Sequence, residues 1–230
     1  MKTKRKALLT LMCAVLLVMV SILGTLAYLT DRDQAVNTFT VGNVDITLDE
    51  ENVDEDDYGE EDEPNIPDRD QQNDYHILPG LTYTKDPMVT VEPGSEDCYV
   101  RMIVTISKSS EWDTLFEDGK YTITDFLDLN NTDWAYAGNT ENESANTRTY
   151  EFRYNKIVPA VSENAAVGTQ LPKLFTSIRI PGTMTGDELA LLEGFEMNLE
   201  AHAIQAAGFA ADLTAYVAEE AEKAWDAFEN

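Results

Sequence analysis

Cysteine and histidine are scarce in this chain of 230 residues. The sequence contains two of each, and Cys13 lies in an apolar run near the N-terminus, so Cys98 is the only cysteine in the rest of the chain. A single cysteine forms neither an intramolecular disulfide nor a structural zinc site, so the fold must depend on its hydrophobic core. Because Cys98 begins an alternating apolar series, we predict a buried and inert thiol, with an intermolecular disulfide as the alternative.

Sequence signatures of catalysis are also absent. The chain contains no H-E-x-x-H and no G-x-S-x-G motif, and His76 and His202 fall on separate predicted elements. A zinc hydrolase uses about three protein ligands, usually histidines with a carboxylate. Among 43 acidic residues no pair can be singled out for glycoside hydrolysis. We therefore predict that the protein is not an enzyme and has no catalytic residues, metal site or cofactor.

Basic residues are few. The chain has 16 basic and 43 acidic residues, and residues 1–27 contain four of the basic ones and no acidic one. Residues 28–230 therefore carry 12 basic against 43 acidic side chains, a difference of −31. Such a charge repels nucleic acid phosphates and anionic lipid surfaces, so we predict neither as a partner. It is typical of a protein kept soluble outside the cell by its charge, or of one that attracts cations.

The N-terminus does carry a recognisable signal for export. Four basic residues within positions 2–6 precede an apolar run over residues 7–23. The small residues Thr25 and Ala27 then stand three and one positions before a cleavage point at Tyr28. This order is typical of a secretory signal peptide. We predict that residues 1–27 are removed and the protein is secreted; an uncut signal would anchor it to the membrane.

The first strand of the exported chain changes its pattern partway. Phe39 and Val41 alternate with polar residues, and after Gly42-Asn43 the apolar residues Val44, Ile46 and Leu48 alternate in the opposite parity. A strand that changes parity would turn its apolar side outward unless one extra residue were absorbed. We therefore predict a β-bulge or bend at Gly42-Asn43.

These N-terminal motifs resemble those of a known family. A-Y-L-T-D at residues 27–31 and N-T-F-T-V-G-N-V-D-I at residues 37–46 are similar to the start of TasA/camelysin proteins. I-L-P-G at 77–80, K-D-P at 85–87 and I-Q-A-A-G-F at 204–209 continue the resemblance. It implies secretion by a Gram-positive bacterium, cleavage by a SipW-type signal peptidase, a β-sandwich of jelly-roll type and assembly into extracellular matrix fibres. Some camelysin-like relatives are described as metallopeptidases.

An acidic block follows the first strand. Residues 49–63 contain eleven acidic side chains, and prolines and polar residues continue to position 74. Such a segment buries too little apolar surface to offset its ordering entropy, so we predict a disordered loop over residues 49–74. Weak calcium binding by its carboxylates is the functional alternative, although no EF-hand loop is present.

The remaining pattern predicts a mainly β domain over residues 28–209. Alternating apolar residues indicate antiparallel strands at 88–91, 98–107, 134–137, 147–158, 171–180 and 195–203, with 138–146 as a polar connection. On the strand at 98–107 we expect Tyr99, Arg101, Ile103 and Thr105 to take the outer face. Short helices are predicted within 109–131 and at 186–193, and an amphipathic helix within 210–230 that docks on the domain or on a neighbouring subunit.

Three functions remain open from the sequence. The first is a fibre subunit that self-associates, with other matrix proteins as further partners, by adding its N-terminal strand to a neighbour's sheet edge. The predicted assembly residues are Phe39, Val41, Val44, Ile46 and Leu48. The second is a camelysin-like surface metallopeptidase, for which His76 and His202 are the imidazole candidates. The third is a cation-dependent adhesin or a carbohydrate-binding module using Tyr150, Phe152 and Tyr154, whose aromatic rings more commonly form core or cross-strand pairs.

Overall fold

The computed structural model of the chain describes residues 43–51, 69–70 and 77–229. All of them belong to one compact unit that spans residues 42–230. The predicted signal and cleavage residues, including Thr25, Ala27 and Tyr28, lie outside the described residues, as do Phe39, Val41 and His76. None of the helices in the described part of the chain is both long and apolar enough to cross a membrane.

The described residues are mainly β, as predicted, with antiparallel sheets and four short helices. The strands are β1 (Ile46–Glu51), β2 (Arg69–Asp70), β3 (Thr82–Thr84), β4 (Met88–Val91), β5 (Cys98–Ser107), β6 (Trp134–Asn142), β7 (Thr147–Tyr154), β8 (Thr169–Gln170), β9 (Ser177–Arg179) and β10 (Met197–Gln205). The helices are α1 (Ser109–Phe116), α2 (Ile123–Phe126), α3 (Gly186–Leu191) and α4 (Ala218–Phe228).

Two four-stranded sheets and one two-stranded sheet form this unit. The larger of the four-stranded sheets has the order β10-β5-β7-β6, and the other has the order β2-β1-β4-β8, while β3 pairs with β9. In the larger sheet, β5 pairs with β10 from Cys98 to Ile106 and with β7 from Arg101 to Ser107. Strand β5 therefore lies inside the sheet, with a hydrogen-bonded strand on each side.

One hydrophobic core joins the two four-stranded sheets. It contains Val89 and Val91 of β4 together with the inner face of β5, from Cys98 to Ile106. The thiol of Cys98 has no exposed surface, as the alternation predicted, and burial raises its pKa to about 12. The thiolate is the reactive form of cysteine, so this side chain is inert in the folded protein. Phe152 and Tyr154 of β7 also face this core, and Tyr150 packs against it, as expected for core aromatics.

Several predicted boundaries were wrong. Strand β1 runs to Glu51, so the first three residues of the predicted acidic loop belong to a strand, and β2 pairs with its end at residues 69–70. Strand β6 continues to Asn142 through most of the predicted polar connection, because an edge strand needs no apolar alternation to pair with β7. The predicted strand at 171–180 is replaced by the short strands β8 and β9 on either side of a non-repetitive segment.

The outer face of β5 is also different from its prediction. Tyr99 and Arg101 lie on that face, yet they are 1% and 4% exposed because α4 packs over them. Helix α4 begins only at Ala218, well inside the predicted range of 210–230, and Leu213 and Val217 stay exposed before it. Its buried residues Ala221, Ala224 and Trp225 form a second, smaller hydrophobic cluster with Tyr99.

Helices α1 and α2 form an aromatic cap at one end of the larger sheet. Trp112 is the centre of this cap, with its ring centroid 4.9 Å from that of Phe126, 5.2 Å from Phe195 and 5.6 Å from Phe116. The start of α1 is capped from outside the helix, because the Asn146 side chain accepts a hydrogen bond from the Ser110 backbone N–H at 3.0 Å. The start of α1, and with it the aromatic cap, therefore depends on a contact with the β6–β7 turn, which is distant in the sequence.

Helix α3 begins with the capping box that the sequence predicted. The Thr185 backbone N–H donates to Glu188 at 2.7 Å, and the Glu188 N–H donates to the Thr185 hydroxyl at 3.3 Å. Lys120 also donates to the Glu188 carboxylate at 2.5 Å. The hydrogen bond from Lys120, followed by that from the Thr185 N–H, lowers the Glu188 pKa from 4.5 to about 2. The titration of this carboxylate therefore depends on the contacts that cap helix α3.

We expect Glu188→Gln to lower the free energy of unfolding at pH 7 and to have less effect at pH 2. A carboxyl whose pKa is depressed by folding stabilises the protein above its unfolded pKa, and that contribution is lost as the pH falls through the folded value of about 2. Urea titrations of both proteins at several pH values between 2 and 7 measure this difference. Lys120→Met should reduce the same pH dependence, and a difference that stays constant with pH would contradict the assignment.

Candidate assembly site

The C-terminal part of the predicted assembly strand lies in the chain's own fold. Strand β1 pairs antiparallel with β4, from Ile46 opposite Val91 to Asp49 opposite Met88. Val44, Ile46 and Leu48 are half-buried and pack against the main core. These three side chains therefore anchor the strand in its own domain, while Phe39 and Val41 precede the described residues.

The residues just before β1 are held to the loop between β4 and β5. The Asp45 N–H donates to the Ser95 hydroxyl at 3.0 Å, and its carbonyl accepts from the Glu92 N–H at 2.9 Å. The Asn43 carbonyl accepts from the Glu96 N–H at 3.0 Å. The bulge predicted at Gly42-Asn43 falls at the limit of the described residues, and the chain enters β1 through these hydrogen bonds.

A buried ion pair lies at the end of β1. The Lys85 ammonium donates to the two oxygens of Glu50 at 2.8 and 2.7 Å, and the two side chains are 6% and 8% exposed. Beside them the Glu51 N–H donates to Asp86 at 2.7 Å, and Lys173 donates to the other oxygen of the Asp86 carboxylate. The sequence did not predict this cluster, because Glu50 is embedded in an acidic run, where each carboxylate is expected to be solvated. The only signal was a lysine in a chain with few basic residues.

A groove of about 390 Å³ runs between β1 and β10. It is lined by consecutive residues of both strands, namely Ile46, Thr47, Leu48, Asp49 and Glu50 on one side and Met197, Asn198 and Leu199 on the other, with Lys85 and Pro87 between them. Successive side chains of a strand point to opposite faces. A run of consecutive lining residues therefore means that the groove meets the edges of these strands and not only one face.

Strand β10 is an edge strand of the larger sheet. One side of it pairs with β5 over nine residues, and no other described strand pairs with its second side. Along the groove, Met197 and Leu199 are half-buried while Asn198 and Glu200 are exposed. The groove thus combines backbone groups along an edge with apolar side chains, which is the chemistry that an added strand uses.

His202, one of the two histidine candidates, contacts an arginine and a single carboxylate. His202 on β10 accepts a hydrogen bond at Nδ1 from Arg101 at 3.2 Å, and its Nε2 is 3.6 Å from a Glu200 oxygen. Within the described part of the chain, no group of three or more histidine, cysteine, aspartate or glutamate side chains is arranged to hold a metal ion. His76, the other candidate, lies outside the described residues.

Comparisons with known proteins return nothing for this chain: no family model, curated protein or solved structure matches it.

Proposed function

We propose that this protein is a secreted structural subunit that assembles into extracellular fibres by adding its N-terminal strand to a neighbouring copy. In this proposal a SipW-type signal peptidase removes residues 1–27, and the two four-stranded sheets form a sandwich of jelly-roll type. The observation that carries the proposal is the groove between the edges of β1 and β10. The resemblance of residues 27–46 to TasA/camelysin proteins supports the same function.

The proposed strand addition uses only the N-terminal part of the first strand. Val44, Ile46 and Leu48 pack in their own core, so in this proposal the donor segment lies between the cleavage point and Gly42. Bound as an added strand, that segment would present Phe39 and Val41 on one face and Thr38 and Thr40 on the other, because successive side chains of a strand point to opposite faces. We propose that Phe39 and Val41 enter the neighbour's groove beside Met197 and Leu199 while the backbone pairs with β10.

Such an interaction propagates without closing. The donor segment and the acceptor groove are different parts of the chain, so the proposed contact is heterologous and generates a filament. The large negative charge of residues 28–230 opposes this packing, and salt screens repulsion between exposed charges. Assembly should therefore proceed faster at about 0.5 M salt than at low ionic strength.

The test begins with the donor segment. Protein that starts at Tyr28 is compared with protein that starts at Asn43, by size-exclusion chromatography and negative-stain microscopy, because the shorter form keeps all of β1. We expect filaments from the longer protein only. In the full mature chain, Phe39→Asp/Val41→Asp should abolish filaments, whereas Thr38→Asp/Thr40→Asp, which adds the same charge on the opposite face, should retain them.

A complementation experiment tests the acceptor. Leu199→Arg should block the groove, while Gln205→Arg, at an exposed position of β10 outside the groove lining, serves as its matched control. A mixture of the donor variant Phe39→Asp/Val41→Asp with Leu199→Arg should give dimers that do not grow, since one chain retains the groove and the other the strand. Filaments from either variant alone, or a folded mature protein that stays monomeric in all conditions, would reject the proposal.

A further inference from the structure

Three basic side chains form a row across the outer face of the larger sheet. His202 of β10 lies directly opposite Arg101 of β5, and Arg101 lies directly opposite Arg153 of β7. Two like charges such as those of Arg101 and Arg153, placed directly opposite each other on a sheet, destabilise it. These three side chains lie together in a chain with few basic residues. We call the outer face at Arg101, Arg153 and His202 the basic row.

The sheet itself supplies only part of the compensation. Glu151 lies between the arginines, 2.6 Å from Arg153 Nε and 3.6 Å from an Arg101 guanidinium nitrogen. Glu200 lies 3.6 Å from His202. The remaining partners come from α4. The Glu222 carboxylate of α4 accepts a hydrogen bond from Arg153, and the carboxylate of Glu229, the residue after the helix, accepts one from Arg101 at 2.9 Å.

Helix α4 also places aromatic rings against the basic row. The Arg101 guanidinium carbon lies 4.6 Å from the ring centroid of Trp225 and 5.3 Å from that of Phe228, within the range of cation–π attraction. The His202 ring stacks on Phe228 with centroids 5.2 Å apart. The recognition element is therefore an acidic helix that presents two aromatic rings and two carboxylates to the basic row.

Apart from its contacts with the basic row, helix α4 is attached by few buried groups. Its buried contacts apart from Trp225 are the methyl groups of Ala221 and Ala224, and the Tyr99 hydroxyl beneath it is buried without a hydrogen-bond partner. Eleven residues are too few for a helix to persist by itself in water, and the acidic residues Asp226 and Glu229 lie at its unfavourable C-terminal end. A connection over residues 207–217, mostly exposed, joins the helix to β10.

We propose that the basic row is a docking site for an acidic, aromatic-bearing helix, and that its occupant in an assembly is α4 of a second copy. In an isolated chain the tethered α4 occupies the site because its effective concentration is high. When chains are held side by side, the α4 of a neighbour makes the same contacts at a comparable effective concentration, so exchange costs little. The exchange would link copies at a surface separate from the groove.

The test uses the mature chain carrying Leu199→Arg, so that strand addition does not interfere and either proposal can fail alone. In this chain Trp225→Ala releases α4, and a fluorescent peptide of residues 211–230 is titrated in by anisotropy. We expect binding that is at least about tenfold tighter than to the chain with Trp225 intact, whose site is occupied. The peptide with Trp225→Ala, and the released chain with Arg101→Met/Arg153→Met, should not bind.

A second variant that detaches α4 controls for a folding defect caused by Trp225→Ala. Glu222→Lys/Glu229→Lys repels α4 from the arginines through two exposed positions and leaves the aromatic residues unchanged. The peptide should bind this chain too. Absence of binding to both released chains, when circular dichroism shows that they are folded, overturns the docking site. Equal binding by Arg101→Met/Arg153→Met overturns the role of the row.

Cross-linking identifies the occupant. In a Cys98→Ser background with Leu199→Arg, one chain carries Arg153→Cys and the other Glu222→Cys, and the mixture is oxidised at high protein concentration. Disulfide-linked pairs of unlike chains are expected, and they should be lost when Trp225→Ala is added to the Glu222→Cys chain. A single chain with both cysteines checks that the geometry permits the bond. If that chain links internally and unlike chains never pair, the second copy is rejected as occupant.

Discussion

Replacing Lys85 by methionine is expected to lower the free energy of unfolding by about 3–5 kcal/mol. The substitution removes the ammonium group that donates to both oxygens of Glu50 and leaves that carboxylate in a site only 8% exposed. An unpaired buried charge cannot recover its hydration, so the folded state loses more than the value of one hydrogen bond. Urea unfolding followed by tryptophan fluorescence measures the change.

Two further variants separate burial from charge. Glu50→Met/Lys85→Met removes both partners and should come within about 1 kcal/mol of the wild type, because no lone charge remains. Lys156→Met breaks the ion pair with Asp133, which has a similar N–O distance of 2.8 Å, but its lysine is 60% exposed. That change should have little effect on stability, because an ion pair exposed to solvent contributes little. If Lys85→Met costs no more than Lys156→Met, the pair at the end of β1 does not hold that strand.

The second large effect is expected at the aromatic cap, where Trp112→Ala should cost about 3–5 kcal/mol. The Trp112 ring contacts three other aromatic rings and is 6% exposed, so its loss leaves a cavity that α1 and α2 cannot fill by small movements. Thermal or urea unfolding gives the value. The same substitution should leave the groove at β1 and β10 unaltered, which filament assembly at a temperature where the variant is folded would verify.

A comparison of two tryptophans makes this prediction more specific. The Trp112 indole N–H is buried without a hydrogen-bond partner, whereas that of Trp134 donates to the Pro172 carbonyl at 2.8 Å. Trp134→Phe therefore leaves a carbonyl unpaired, and it should cost about 1 kcal/mol more than Trp112→Phe. Equal costs for the two phenylalanine variants would mean that Trp112 has a partner in solution, such as a bound water.

The proposed function places different demands on the two ends of the first strand. The C-terminal end must stay in its own domain, and its hydrogen bonds to β4 and the buried Glu50–Lys85 pair serve that need. The N-terminal end must be free to bind a neighbour. Lys85→Met is therefore expected to weaken assembly through the stability of the subunit, while Phe39→Asp/Val41→Asp acts on assembly with little effect on stability.

Some parts of this fold were determined by the sequence alone. Strand β5 was predicted at its observed bounds, and β10 within two residues, because strict alternation along a half-buried strand records which face is apolar. The start of α3 followed from Thr185 and Glu188, whose contacts are local to the helix. The buried thiol of Cys98 followed from its place in the same alternating series.

Other parts were decided only by the tertiary structure, because they depend on which distant segments meet. Arg101 follows the outward parity of β5, and its burial results from a helix more than a hundred residues later in the chain. Glu50 belongs to an acidic run, and only the approach of Lys85 makes it a buried partner. The groove combines one strand near the start of the domain with another near its end. Local periodicity reports the faces of single elements, whereas the packing of elements against one another determines which of those faces and edges are covered.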